Sequence, residues 1–319
     1  MIPAAEQRRD GVAVVAKEAG WTSHDVVAKA RGILGNKKIG HSGTLDPDAT
    51  GVLILGVGRV TRLLRFLTAL PKSYVGEIVL GTETTTLDAA GDVVATHDMA
   101  HVVEDDVLLA ATRFVGPIEQ IPPMVSAVKI DGRRLHELAR EGKEVERAPR
   151  PVTVYRFDLA PVPDAPGVYR AEVDCSSGTY IRTLAADLGQ ALGGGAHLRS
   201  LQRTAIGSFT LADARALEDI VVLEPREALR DYPAIVVRDD VLMAVRHGKV
   251  LPLGELGVPD AVLPAAGGGD WPIKLDDAVV SAAAGPWAVL DSAGDLIAIY
   301  EAHRGATAKP AVVLRPSAT

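Results

Sequence analysis

Residues 51–58, GVLILGVG, form a continuous apolar run bounded by glycines. A run this short, with no polar position to turn toward water, is compatible with a buried strand, so the rest of the chain must supply its cover. Strand-like partners are present. GVAVVAKE (11–18), KSYVGEIVLGTETTT (72–86), VTVYRFDLAPV (152–162) and VYRAEVDCSS (168–177) are rich in β-branched residues. Helical spacing occurs in TSHDVVAKARGIL (22–34), where Thr22 or Ser23 is a good N-cap before Val26, Val27, Ala30 and Leu34. RVTRLLRFL (59–67) and LEDIVVLEPREALR (217–230) also read as helical, as does TYIRTLAADLGQAL (179–192), which ends at Gly193, Gly194 and Gly195. Together these elements imply an α+β body. No internal repeat or coiled coil is visible.

The texture changes near Leu229 to Pro233. Downstream, short apolar runs alternate with Gly, Pro and Asp clusters, as in VLPAAGGGDWP (262–272) and WAVLDSAGDLIAIYEA (287–302). DSAGD between two apolar runs is a hairpin signal, because glycine accepts the positive φ of a tight turn. A small, acidic β-rich module from about residue 234 follows from this pattern. A length of 319 residues agrees with two domains, or with one large domain and an appendage.

No apolar run approaches the roughly 18–20 residues needed to span a bilayer. The N-terminal stretch MIPAAEQRRDGVAVVAK carries charges where a signal peptide needs apolar residues, and the single Cys175 cannot form an internal disulfide. A reducing cytoplasm is therefore expected. Cofactor motifs fail in turn. GVGRVTR lacks the third glycine of a dinucleotide fingerprint, and no glycine-rich loop ends in Lys-Ser or Lys-Thr. GHSGT (40–44) is not a nucleophile elbow, and His97 with His101 lacks an evident third metal ligand.

Net charge is −7, yet two segments are basic. Residues 31–72 hold seven Lys and Arg against two acids, and residues 120–156 hold eight against five. In the first of these lies KKIGHSGTLDPDATGVLILGVGRVTR (37–62). Pro47 fixes its own φ and pushes Asp46 toward an extended backbone, which aims the Asp46 carboxylate in one direction. An Asp at such a place either caps a turn or presents a preorganised acid. Read from the residues alone, three functions stay open. Asp46 and Asp48 could serve as a glycosidase pair, although residues two apart on one loop do not readily face each other across a sugar at about 5 Å or more. Asp46 could be structural in an RNA-binding module, or it could be a lone catalytic carboxylate.

Five segments in order resemble the bacterial tRNA pseudouridine synthases of the TruB type, which modify the uridine at position 55 of the T loop. They are KEAGWTSHDVV (17–27), the 37–62 stretch, KSYVGEIVLGTETTTLDAAG (72–91), QIPPMVSAVKIDGRRLHELAREGKEVER (120–147) and CSSGTYIRTLAADLGQALGGGAHLRSLQRTAIGSF (175–209). The resemblance implies a mixed-sheet catalytic body over residues 1–232, with an RNA-clamping insertion at about 120–152. A small β-barrel of the PUA type follows over 233–319. It implies that Asp46 is the catalytic residue, that Tyr74 packs against the target base, and that Arg182 pairs with Asp46 to keep it ionised and aimed. His41 is associated with flipping the nucleotide and Leu201 lines the pocket. Lys17, Lys129, Arg133, Arg134, Arg140 and Lys143 are expected to contact RNA. The implied partner is the T arm of tRNA, with no cofactor, no metal, no membrane and no obligate protein partner; a monomer is expected. Two positions depart from the family pattern: Glu18 follows Lys17 where proline is usual, and Val125 stands where an aromatic is common.

Overall fold

The structure, a computed structural model, describes residues 10–258 and 285–314 apart from positions 127, 128, 131, 136, 137, 139, 140, 142 and 144. Its main body is a nine-stranded sheet. From one edge the order is β1 (Gly11–Lys17), β3 (Thr50–Val57), the strand Ala196–Ile206, β4 (Lys72–Leu80), Val168–Cys175, Arg150–Pro161 and Gly116–Gln120. The short strands β2 (Ile39–His41) and Phe209–Thr210 pair with β3 and with Ala196–Ile206. Neighbours run antiparallel except where β3 meets Ala196–Ile206, in parallel register at Gln202↔Thr50 and Arg203↔Gly51. Gly51 makes that junction possible: its φ is +105°, and a Cβ there would lie 2.2 Å from the Arg203 carbonyl oxygen.

Apolar clusters cover both faces of the sheet. Val26, Val27, Ala30 and Leu34, on and just beyond the helix Ser23–Ile33, bury against Ala13, Val15, Leu53 and Leu55. Thr22 caps this helix with a reciprocal bond to Asp25. Ile181, Leu184, Ala185 and Leu188 of the helix Ile181–Ala191 pack beside Ile78, Ala171, Val173 and Leu198. The run at 51–58 is the buried strand expected of it, with Val52, Leu53, Ile54 and Leu55 all fully inaccessible.

A second, five-stranded sheet holds the strands Ala234–Val236, Trp287–Leu290, Leu296–Ala302, Thr307–Val313 and Leu251–Pro252. The DSAGD hairpin is present, with Gly294 at φ +84°. Its Ala288, Leu296, Ile299 and Val312 share one apolar cluster with Phe66, Leu67, Leu70 and Tyr232 of the main body. Arg62 Nη1 also donates to the Val313 carbonyl at 2.7 Å.

Two expectations need correction. LEDIVVLEPREALR is not a helix; it holds only the 3-10 turns Leu217–Asp219 and Pro225–Leu229. Between them Leu223 exchanges backbone hydrogen bonds with Val12 at the sheet edge, so β pairing replaces the helical ladder there. RVTRLLRFL is split into a 3-10 turn, Gly58–Leu63, and a short α-helix, Leu64–Ala69. The stretch VLPAAGGGDWP and the first nine residues, with the charges Glu6, Arg8 and Arg9, lie outside the described residues. Among the described residues no helix is long and apolar enough to cross a membrane.

Candidate active site

Asp46 sits in the loop between β2 and β3, and buried donors hold that loop at several points. Ser23 Oγ accepts from the Leu45 N–H at 2.9 Å. The Gly20 N–H reaches the Pro47 carbonyl at 2.9 Å, and the Ala49 N–H reaches the Asp46 carbonyl at 3.1 Å. Lys17 Nζ donates to the carbonyls of Pro47 at 2.8 Å, Ala49 at 2.6 Å and Glu18 at 2.9 Å. From the other side Arg203 donates to Gly43 at 3.2 Å, Thr44 at 3.4 Å and Val52 at 2.8 Å. The loop geometry therefore rests on buried charge as well as on Pro47.

The Asp46 carboxylate is clasped by one guanidinium. Arg182 Nε lies 3.0 Å from Oδ2 and Nη2 lies 3.1 Å from Oδ1, a two-pronged pairing that suits an ionised acid. Arg182 is in turn held by the Thr86 carbonyl at 3.1 Å, the Val125 carbonyl at 2.9 Å and Asp88 at 3.3 Å. Its side chain is 6% exposed while that of Asp46 is 40% exposed, so the carboxylate faces outward from a fixed base. Burial pushes the Asp46 pKa above the usual carboxylate value and the Asp88 charge adds to this; Arg182 and Lys17 pull it back. Arg182 therefore favours the ionised form, as expected of it, but works against desolvation, which is the larger influence.

A cavity of about 290 Å³ opens beside Asp46, lined by Tyr74, Leu201, Arg182, Lys72 and Arg203. It is at the small end of ligand pockets and suits one flat ring. Tyr74 is 9% exposed. Burial raises its pKa, opposed by the neighbouring Arg203, so its hydroxyl stays protonated at neutral pH. Leu201 pairs across the sheet with Gly76. A Cβ at Gly76 would lie 2.6 Å from the Ser200 carbonyl and 3.3 Å from Leu201, so glycine lets the Ser200–Leu201 strand pass close over β4. A second cavity of about 290 Å³, lined by Asp46, Asp88, Val125, Leu198 and Leu201, abuts the same ion pair. A larger cavity of about 500 Å³ lies far from this chemistry, between the two sheets among Arg59, Arg226, Arg246 and Asp291.

Asp46, Tyr74, Arg182 and Leu201 are thus brought together. His41 is not among the residues lining either cavity. It sits at the loop entrance, its Nδ1 accepting from the Gly43 N–H at 3.3 Å and its ring edge-on to His24 at 5.2 Å. Burial, and then the charges of His24 and Arg203, push its pKa down to about 4. Lys17 is corrected: at 2% exposure with three carbonyls on its ammonium, it braces the Asp46 loop and has no face for a phosphate. Arg133 and Lys143 are exposed and share Glu141. Lys129 and Arg134 lie in the hairpin Lys129–Ile130 with Arg133–Arg134, and Arg140 lies outside the described residues. Asp88, Lys72 and Arg203 were not picked out from the sequence. The TETTTLDAAG segment carried the signal for Asp88, an acid in a Thr- and Gly-rich loop, whereas the two cations lie in strands and resemble surface residues.

The family model described as TruB family pseudouridylate synthase (N terminal domain) matches residues 31–181. The model described as tRNA pseudouridylate synthase B C-terminal domain matches 182–232. A tRNA pseudouridine synthase B of an Arthrobacter species is 41% identical over 96% of this chain and 97% of its own. That of Symbiobacterium thermophilum is 50% identical over 75% of this chain and 82% of its own. Among solved structures, a Cbf5-Nop10-Gar1 complex contains a chain with TM-score 0.67 and 25% identity, covering 98% of this chain and 86% of that one. A chain of an H/ACA RNP bound to a substrate RNA containing 2′-deoxyuridine has TM-score 0.67 at 24% identity, covering 99% and 88%, a likeness of fold.

Proposed function

The chain belongs to the TruB family of pseudouridylate synthases, and from that premise we propose that it isomerises uridine to pseudouridine at position 55 in the T loop of tRNA, with Asp46 as the catalytic carboxylate. The observation that carries this reading is the two-pronged Asp46–Arg182 pair at the edge of a one-ring cavity walled by Tyr74 and Leu201. The isomerisation breaks the glycosidic bond, turns the uracil and rejoins it through carbon, with no redox step and no hydrolysis. A single carboxylate serves it in either of two ways, by attacking C1′ or by removing a ribose proton. The base must first leave its stack, at a cost of about a few kcal/mol. Tyr74 offers a face for the extruded ring, with stacking worth roughly 1–3 kcal/mol.

The basic insertion at about 120–152 is the clamp for the RNA in this proposal, through Lys129, Arg133, Arg134, Arg140 and Lys143. Ion pairs as exposed as those on Glu141 are screened by water and weak, so a phosphate displaces the carboxylate at little cost. The sheet from Ala234 onward acts as a PUA-like accessory contact to RNA, which its strand content supports. The chain is taken to act as a monomer, and the tRNA substrate and the buried free thiol of Cys175 support the cytoplasm. The test is to treat unmodified tRNA with the protein and digest it. A mass-neutral isomer of uridine at the T-loop position is expected. Free uracil would indicate glycosidic cleavage, and unchanged RNA would indicate a binding module; either outcome refutes the proposal.

A further inference from the structure

The cavity floor contains two cations that no acid answers. Lys72 and Arg203 are 6% and 1% exposed, and both line the cavity beside Tyr74. Strand register explains the placement. Tyr74 stands opposite Arg203, and Lys72 lies two residues before Tyr74 on the same face of β4. Lys72 gives two of its three protons to the carbonyls of Thr68 and Leu70, at 2.6 and 2.5 Å. Arg203 is tied to the carbonyls of Gly43, Thr44 and Val52. Among the described residues neither forms an ion pair, whereas Arg182 a short distance away is shared by Asp46 and Asp88. Burial first, then the charge of Arg203, bring the Lys72 pKa down to about 7. Two adjacent buried basic groups without a counter-charge are costly to hold fully charged. A site can use such an arrangement when negative charge develops beside it during the reaction.

Uracil enters the cavity neutral and becomes negative only when the C1′–N1 bond breaks, because the bonding pair leaves with N1. We propose that Lys72 and Arg203 stabilise the negative charge on the departing uracil ring, making this floor an anion site for the detached nucleobase. The inference rests on the pseudouridine-forming reading above. It holds for both routes. If Asp46 attacks C1′, an ester forms as N1 leaves; if Asp46 takes the 2′ proton, a C1′–C2′ double bond forms as N1 leaves. The same uracil anion results. Its charge is discharged when C5 bonds to C1′, which in the first route expels the Asp46 carboxylate from its ester and in the second returns the proton from Asp46 to C2′; the C5 proton is then lost to a base and N1 takes up a proton.

The test compares single-turnover rates at which the full-length protein breaks the C1′–N1 bond of uridine or 5-fluorouridine at the target of tRNA, because the fluorinated ring has no C5 proton to lose and only this step is common to both. Fluorine stabilises the ring anion by itself. Wild-type conversion of the uridine substrate verifies the reaction first, so the two readings fail separately. Lys72→Gln, which keeps a donor for one carbonyl, is expected to slow uridine conversion by about 10²-fold. The loss on 5-fluorouridine should be about tenfold smaller, with RNA affinity unchanged. Equal losses on both substrates would overturn the proposal, as would a loss confined to RNA affinity, which would assign Lys72 to a phosphate. If Lys72→Gln does not melt cooperatively, competition against RNA on the wild-type protein decides. Free 5-nitrouracil, ionised near neutrality, should compete more strongly than uracil, and equal competition would overturn the idea.

Discussion

The loop around Asp46 and the basic segment 129–147 are both rich in charge, and they hold it in opposite ways. In the loop the cations are buried and bonded to backbone carbonyls, as Lys17 is to Pro47 and Ala49, so charge sets geometry. In the basic segment Arg133 and Lys143 remain exposed and share one carboxylate, so their charge is available to a passing polyanion. Counting Lys and Arg cannot separate these uses. Desolvation separates them, because a buried ammonium survives only when its protons are taken by fixed acceptors.

Replacing the carboxylate breaks the comparison most severely. Asp46→Asn should take isomer yield below detection with tRNA affinity retained, while Asp48→Asn costs little, since Asp48 is exposed and outside the Arg182 pairing. Arg182→Ala should come close to Asp46→Asn, because it leaves two acids without their shared partner. An active Asp46→Asn protein, measured by isomer yield, would sink the assignment.

The next effect separates brace from clamp. Lys17→Met should lower unfolding free energy by about 2 kcal/mol through three orphaned carbonyls, and should reduce turnover. The salt dependence of tRNA binding should not change. A flatter salt slope for Lys17→Met, from binding titrations at several salt concentrations, would restore Lys17 to the RNA-binding set.

Charge reversal in the exposed segment should do the converse. Arg133→Glu with Arg134→Glu is expected to raise KM for tRNA about tenfold and to reduce the slope of log K against log salt by about one to two, with kcat and Tm nearly unchanged. Unchanged affinity and slope would remove the clamp from the proposal.

The smallest effect is at the loop entrance. His41 has its folded pKa lowered from 6.5 to about 4, so the unfolded chain binds its proton first as pH falls. The contribution of His41 is complete above pH 6.5 and drains away between pH 6.5 and about 4. His41→Asn, which can still accept from the Gly43 N–H, should flatten this part of the stability profile by at most about 3 kcal/mol. Thermal melts across that range check it, and an unaltered profile would contradict the shift.

Much of this organisation is legible in the chain. The glycine-bounded run at 51–58, the Thr22 cap and the DSAGD hairpin each depend on local spacing, and each appears where spacing puts it. Asp46 is legible because Pro47 marks its loop. What is hidden depends on register between distant strands. Lys72 and Arg203 face the cavity only because β4 pairs with Ala196–Ile206 at Tyr74↔Arg203, and nothing within either segment announces that. The helical reading of 217–230 failed for a related reason, since the pairing of Leu223 with Val12 lies more than 200 positions away in the chain.

The apolar cluster that joins the two sheets has a consequence for how the molecule comes apart. Phe66, Leu67, Leu70 and Tyr232 share one buried cluster with Ala288, Leu296, Ile299 and Val312, so each set takes part of its cover from the other. Heating should therefore melt both sheets in one transition, since opening either exposes the apolar face of its neighbour. A chain cut before Ala234 would carry that uncovered face into solution and be prone to aggregate. Its failure to modify RNA would then report lost cooperativity, whatever the second sheet contributes to binding.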